Sequence, residues 1–339
     1  MDYTVLGNTG LRVSRTAFGA LPLQRCNVED AIKILRRAFD SGINFFDTAR
    51  GYTDSEEKIG RALGDVRKEI IIATKSHAGD VQALKKELET SLRLLKTDYI
   101  DLYQAHNHIP SEEVVEAMRG FVKEGKIRHF GLTLHAIEKA REAIDSGLFE
   151  TLQFPFSCLS LDEDIALANQ CKEAGMGFIA MKAMSGGLIQ NVPANFAFIR
   201  TFEHIVPIWG IQRMNELDEF LTLAENPPVY DESSQRAVLK EKEALGGRFC
   251  RSCGYCSPCP ADIKLWNACR MDLLLTRSPY QKLITKEWQT EMAKINDCTG
   301  CRICATRCPY HLKPYELIKD QLAFYTKFVE EHRAEIPEA

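Results

Sequence analysis

Nine of the twelve cysteines in this 339-residue chain fall between residues 250 and 308. Eight of the nine form two runs: Cys250, Cys253, Cys256 and Cys259 before Pro260, and Cys298, Cys301, Cys304 and Cys308 before Pro309. Secreted disulfide frameworks disperse their cysteines, whereas three-residue intervals gather thiolates on one loop, so the clustering points to metal ligation in a reducing compartment. A cubane iron–sulfur cluster needs several thiolates converging on one small inorganic core, and cysteines at i, i+3 and i+6 on a tight loop present three of them. Zinc also takes paired C-x-x-C ligands, usually two pairs separated by a longer loop. Four cysteines within ten residues, followed by proline and then repeated, fit zinc poorly. The expectation is two 4Fe–4S clusters.

The runs resemble those of two-cluster ferredoxins, in which the fourth cysteine of each run ligates the other cluster. That resemblance implies that Cys250, Cys253 and Cys256 share a cluster with Cys308, and that Cys298, Cys301 and Cys304 share the other with Cys259. Cys259 departs from the pattern, being spaced by two residues where three are usual. Cys26, Cys158, Cys171 and Cys269 have no such spacing and read as buried free thiols behaving as small hydrophobes.

Before the cysteines, short β-branched or aromatic runs alternate with amphipathic helical patterns, as repeated βα units do. Eight strands are expected: Thr16 to Leu21, Ile43 to Asp47, Ile70 to Lys75, Ile100 to Ala105, Arg128 to Thr133, Thr151 to Pro155, Gly177 to Lys182 and Ile205 to Ile211. Between the first two, Ala31, Ile34, Leu35, Ala38 and Phe39 share a helical face, with Asn27 placed to cap and Gly42 to terminate. Leu84, Leu88, Leu92 and Leu95 repeat the pattern later, as do Val114, Met118, Phe121 and Val122. Eight units fit a (β/α)8 TIM barrel. An open doubly wound sheet would carry a glycine-rich phosphate loop after its first strand, and Phe18, Gly19, Ala20, Leu21, Pro22 is not one.

Asn226, Pro227 and Pro228 stop the last barrel helix, a polar stretch runs to Lys242, and Gly246 and Gly247 precede the first cysteine run. The expected domains are therefore 1–235, the barrel, and 236–339, a small, mainly helical ferredoxin-like domain. At 45% hydrophobic the chain can fill both cores. A net charge of -4 offers no basic excess for nucleic acid or anionic membranes, and no signal peptide or long apolar run is visible. A cytoplasmic protein with neither nucleic-acid nor membrane partners is the expectation.

Barrel chemistry sits where strands end at the carboxyl face. Polar residues at those ends are Asp47, Lys75, His106, Thr133, Gln153 and Lys182. Singly, a strand-end Asp usually caps a loop, a Lys lies on a solvated face and a His is structural. Together with their setting they point further, because the segment Phe46-Asp47-Thr48-Ala49-Arg50-Gly51-Tyr52-Thr53-Asp54-Ser55-Glu56 resembles the strongest motif of the aldo/keto reductases. Leu6 to Ser14 resembles the family's opening hairpin, and Ile72 to Lys75 and Asp101 to His106 its third and fourth strands. The likeness covers about residues 1 to 226, and the whole chain is similar to the subgroup that fuses this barrel to a ferredoxin-like domain.

The resemblance implies a catalytic tetrad of Asp47, Tyr52, Lys75 and His106. Hydride addition to a carbonyl builds charge on oxygen, so an acid must supply a proton. Tyr52 is that acid, with Lys75 beside it favouring the phenolate, Asp47 holding Lys75, and His106 orienting the substrate oxygen. His108 is read as part of the following loop. The family's nicotinamide would lie against Asp47, Thr133, Gln153, Met181 and Lys182, with Gly19 and Ala20 lining it. Met181 stands where the family commonly stacks an aromatic ring. Gly210, Ile211, Gln212 and Arg213, with Glu216 and Glu219, resemble the turn and helix that hold pyrophosphate and adenosine. Many members place an Arg where this chain has Glu216, and the residue after the matching acid, Glu219, is Phe220 rather than Asn; an acid there would repel a 2′-phosphate, while Arg213 could receive it. NAD(H) and NADP(H) both remain open at this point.

The implied function is an oxidoreductase interconverting a small carbonyl and an alcohol, with clusters exchanging electrons with a ferredoxin-type partner. The cysteine domain takes the place in sequence of the family's substrate-selecting C-terminal loop, so it is expected at the barrel mouth, and Ser185 to Ala194 is a candidate pocket loop. The alternative is an electron-transfer or accessory subunit whose barrel binds nucleotide or protein without turnover.

Overall fold

The chain opens with an antiparallel hairpin, β1 (Tyr3–Val5) and β2 (Arg12–Ser14). Eight strands follow: β3 (Ala17–Gly19), β4 (Phe45–Asp47), β5 (Ile71–Ser76), β6 (Ile100–His106), β7 (Ile127–Thr133), β8 (Thr151–Pro155), β9 (Gly177–Met181) and β10 (Ile205–Gly210). All pair in parallel, in chain order, and β10 closes on β3 to complete a barrel. They are the eight apolar runs of the sequence, unbroken because both faces of a parallel barrel strand are covered. The computed structural model describes residues 1–245, 249–277 and 280–336. Residues 1–184 and 192–238 form one unit; 185–191 and the described residues from 239 onward form a second.

In the first unit, helices alternate with strands: α1 (Val28–Asp40), α2 (Ser55–Leu63), α3 (Val81–Leu95), α4 (Glu112–Lys123), α5 (Ile137–Ser146), α6 (Asp162–Glu173), α7 (Val192–Arg200) and α8 (Met214–Glu225). The Asn27 side chain accepts from Asp30 N at 2.8 Å to cap α1, whose Ala31, Ile34, Leu35 and Ala38 are buried. In α4, Val114, Met118 and Phe121 are buried, but Val122 faces solvent. The hairpin seals the end at which the strands begin: Leu6, Leu11 and Val13 pack on the inward Ala17, Phe45, Ala73, Leu102, Ile179 and Val206. Only glycine fits at position 7, where φ is +53° and a Cβ would lie 2.2 Å from Gly177 N. That seal leaves the opposite end, where the strands finish, for polar side chains.

The polar stretch before the cysteines is helical: α9 (Glu232–Leu245) buries Val238, Glu241 and Leu245, spaced by three and four residues. Gly246 and Gly247 lie outside the described residues. Further on come α10 (Leu265–Ala268), α11 (Met271–Arg277), α12 (Lys286–Ala293), α13 (Ile303–Thr306) and α14 (Pro314–Glu331). Ile263, Leu265, Met271, Leu275, Ile284, Met292, Ile318 and Tyr325 form the second unit's core together with Cys256, Cys269 and Cys304. Residues 185–191 belong to this unit, where Glu241 accepts from the backbone of Gln190 at 2.9 Å and Asn191 at 3.0 Å while pairing with Arg277 at 2.8 Å.

Candidate active site and metal centre

Strand register sets the site. Gly19 pairs with Asp47, His106 with Thr133, and Thr133 with Gln153, so these residues stand at one level near the ends of β3, β4, β6, β7 and β8. Lys75, one residue before the end of β5, is fully buried and donates to Asp47 Oδ1 at 2.6 Å and to Thr48 O at 2.7 Å. Gln153 Nε2 lies 3.5 Å from the same Asp47 oxygen, and Gln104 Nε2 donates to Gln153 Oε1 at 3.1 Å. Burial pushes the Asp47 carboxyl up, while Lys75 and the two glutamines pull it back.

Tyr52 lies on the loop between β4 and α2. The loop is tied down by Arg50 N donating to Lys75 O at 2.9 Å, by Ser55 Oγ donating to Ala20 O at 3.1 Å, and by an Arg50–Glu56 ion pair. Glu56 is itself buried and accepts from Thr74 Oγ1 at 2.7 Å. So fastened, Tyr52 sets its ring 5.2 Å from Lys75 Nζ and edge-on to His106, centroids 6.0 Å apart. From the sequence, Lys75 is expected to ease ionisation of the phenol. Its pull is present, yet burial outweighs it and the phenol sits above its ordinary value of 10. Tyr52 is therefore held as the protonated phenol.

His106 ends β6, while His108 sits in the loop with Nδ1 3.1 Å from His106 O. Burial first, then Lys75, His77 and His108, push the His106 imidazole down to about 2, so it is neutral at any working pH. His77, absent from the sequence reasoning, stacks on His106 with centroids 3.9 Å apart. Its only sequence signal is its place two residues after Lys75. Gln104, not singled out from the sequence, carries only the signal of a polar residue two before His106 on the same inward face.

The chemistry implied for a nicotinamide finds matching donors and acceptors here. Among the described residues, buried Thr133 Oγ1, Asp47 Oδ2 and His106 Nδ1 have no hydrogen-bond partner, as atoms suited to a polar ligand would. Met181 is buried at the end of β9, and Lys182 follows it at φ +53°. Ala20 N donates to Asp47 O at 2.8 Å, which leads the chain out of β3 beside Asp47. At the other end of the candidate nucleotide track, Gly210 and Ile211 lead into α8. Glu216 turns back to accept from Gln212 N at 2.9 Å and Arg213 N at 3.2 Å, and pairs with Arg213 at 3.3 Å. Two amides that could greet a phosphate are thus held by the chain's own carboxylate. Glu219 is exposed.

In the second unit, the cysteines line two hollows. Cys250, Cys253, Cys256 and Cys308 share one with Cys269, Tyr310 and Pro314. Cys259, Cys298, Cys301 and Cys304 share the other, which Cys256 also borders. The last cysteine of each run thus stands with the first three of the other. Among the described residues no three His, Cys, Asp or Glu side chains are close enough to hold a single metal ion. The thiols are instead spread over the walls of each hollow, with apolar Ile263, Leu265 and Ile318 behind the second.

Residues 16–201 match the aldo/keto reductase family, more than half of the chain. The chain belongs to the aldo/keto reductase family. Residues 249–313 match a 4Fe-4S dicluster domain, so this member carries an iron–sulfur domain behind its barrel. The chain is similar to "Uncharacterized oxidoreductase YrpG" of Bacillus subtilis, 31% identical over 222 residues, 56% of this chain and 68% of that one. It is also similar to "Probable aldo-keto reductase 1" of Glycine max, 30% identical over 221 residues, 56% of this chain and 63% of that one. The chain thus spans less than two thirds of the soybean relative. Aldo-keto reductase AKR11C1 from Bacillus halodurans, solved in its holo form, has the same fold: TM-score 0.64 at 21% identity, covering 71% of this chain and 96% of that one. Among the described residues no helix is long and apolar enough to cross a membrane.

Proposed function

We propose that the protein interconverts a small carbonyl and its alcohol with a nicotinamide cofactor, and that its second unit carries two 4Fe–4S clusters exchanging electrons with a ferredoxin-type partner. The single observation that carries the first half is the convergence of Tyr52, His106 and the Lys75–Asp47 pair at the ends of adjacent strands. A bound nicotinamide would supply the hydride. Tyr52 gives its phenolic proton to the carbonyl oxygen as charge builds there. Lys75, held at 2.6 Å by Asp47, keeps a positive charge beside the phenolate left behind. Neutral His106 offers an N–H that orients the substrate oxygen without competing to protonate it. Buried Thr133 Oγ1 and Gln153 are suited to fixing the cofactor's carboxamide. The Glu216 carboxylate at the head of α8 favours a free ribose hydroxyl over a 2′-phosphate, hence NAD(H) over NADP(H).

For the clusters, the two hollows support ligand sets that cross between runs: Cys250, Cys253, Cys256 and Cys308, and Cys298, Cys301, Cys304 and Cys259. The short spacing at Cys259 does not keep it from the second hollow.

Replacing Tyr52 by Phe separates turnover from binding. Carbonyl reduction across a broad substrate panel should fall about 10²-fold or more, the usual worth of a positioned proton donor, while iron and sulfide stay at the wild-type level. Unchanged turnover in the variant would instead leave a barrel that binds nucleotide without using its tetrad.

A further inference from the structure

Of the eight cysteines in the two runs, Cys301 is the exposed one. It lies in an unbroken exposed stretch, residues 299–303, whose Thr299, Cys301, Arg302 and Ile303 form a rim of the second hollow. The charge of this rim has one sign. Residues 298–315 hold Arg302, Arg307, His311 and Lys313 but no acid, in a chain whose net charge is -4. Lys313 pairs with Glu316, just beyond that stretch, at 3.5 Å. Among the described residues Arg302 and Arg307 have no carboxylate partner. The Arg302 guanidinium lies 5.6 Å from the centre of the Tyr315 ring, and Arg307 Nη1 donates to Pro258 O at 3.2 Å. Tyr315 and Pro258 both line the second hollow, so the two arginines are anchored on its walls while remaining exposed. Ile303, 37% exposed, adds an apolar side chain to the same rim.

Resting on the cluster reading above, we propose that this rim is the docking surface for an acidic one-electron carrier protein, with Arg302 and Arg307 meeting its carboxylates beside Cys301 and Ile303. Electronic coupling decays steeply with distance, so the ligand that reaches solvent marks the edge to which a carrier must come. The first hollow offers no such edge, since Cys250, Cys253 and Cys308 are half-buried and Cys256 is buried. Complexes between electron carriers form over small interfaces, and charge at the rim steers the encounter more than it adds affinity. Arginines without a carboxylate partner suit that use, because no ion pair has to be broken when a carboxylate arrives. One electron crosses in each encounter, so one protein is oxidised by one and the other reduced by one, and no bond forms or breaks. The chain's negative net charge repels an acidic protein at longer range, so attraction has to come from the patch itself. The competing role for the two arginines is to balance the charge of a thiolate-held cluster, which places no demand on a partner.

The test uses the full chain, purified anaerobically, with iron and sulfide measured first. Binding of two acidic carriers, a bacterial flavodoxin and a plant-type ferredoxin, is then titrated at low and high salt. Wild type should bind at least one of them, more weakly as salt rises. The double variant Arg302→Gln with Arg307→Gln should keep wild-type iron and bind about tenfold more weakly. Arg302→Lys with Arg307→Lys, which keeps both charges, should retain most of the binding. Arg236→Gln, at an exposed arginine on α9 that pairs with Glu232, controls for net charge and should match wild type. The single glutamine variants are carried alongside, so that loss of iron in the double does not end the comparison. Iron-replete wild type that binds neither carrier, or glutamine variants that bind as well as wild type, would overturn the proposal and leave the arginines balancing the cluster. A DNA duplex bound as tightly as the carriers, and lost in the same variants, would make the rim a site for polyanions and overturn it too. Wild-type protein lacking iron defeats the underlying cluster reading itself, and is seen before any binding is measured.

Discussion

His106 illustrates how one residue's position dictates its protonation. It is buried, faced by the Lys75 ammonium and stacked under His77, with His108 close by, and every one of these disfavours an imidazolium. In the unfolded chain the same imidazole titrates near 6.5. The unfolded state therefore binds more protons than the folded state below that value, and stability falls as pH drops from about 6.5 toward the folded value of about 2. Replacing His106 by Asn removes this penalty. Between pH 7 and pH 5 the variant should gain about 2 kcal/mol on wild type, from the unfolded-state protonation alone. Paired urea titrations at the two pH values measure this, and a constant difference would show that the imidazole protonates in place. His77 is depressed too, chiefly by burial, but is present in both proteins and drops out of the comparison. At this scale the family motif marks Asp47, Tyr52, Lys75 and His106 as candidates. It could not give the balance of burial against Lys75 at Tyr52, because that depends on how tightly the loop is folded over. Nor could it give the stacking of His77 on His106, a neighbour distant in the chain.

Among the elements, strands were the most legible, since a buried parallel strand announces itself as an apolar run and the eight runs are the eight barrel strands. Helix α9 was the least legible. Its buried face includes Glu241, acceptable inside because Arg277, 36 residues away, and the amides of Gln190 and Asn191 come to meet it. The packing of α2 on α3 was equally hidden. Gly60 sits in the middle of α2 where a Cβ would stand 2.3 Å from Leu94 O and 2.7 Å from Leu95 C, backbone atoms that cannot step aside. Alanine ordinarily improves a helix by about 1 kcal/mol over glycine. At position 60 the clash should reverse the sign, with Gly60→Ala losing about 1–3 kcal/mol. Gly120, in the interior of α4 with nothing within 4 Å of its added Cβ, is the control and should gain up to about 1 kcal/mol. Urea midpoints of the two alanine variants should move in opposite directions; movement together would mean that α2 and α3 can separate at little cost.

On the scale of the whole molecule, the two units differ in what holds them together. The first is a closed barrel with aromatic and aliphatic layers inside and a hairpin sealing one end, a core sufficient in itself. The second has short helices, and its thiol-bearing segments around residues 249–264 are without helix or strand. Cys256, Cys269 and Cys304 lie in its core beside Met271 and Ile318, where in other small domains aliphatic side chains would meet. Small domains with cores of this kind lean on metal, because ligand binding energy is then folding energy. Removing iron from the intact protein by a chelator under anaerobic, reducing conditions should therefore melt the second unit and spare the first. Scanning calorimetry should lose one of two transitions, the helical circular dichroism should fall by the share of α10–α14, and the barrel transition should stay at its temperature. If both transitions survive iron removal, the aliphatic residues around the cysteines suffice, and the metal does not staple the fold.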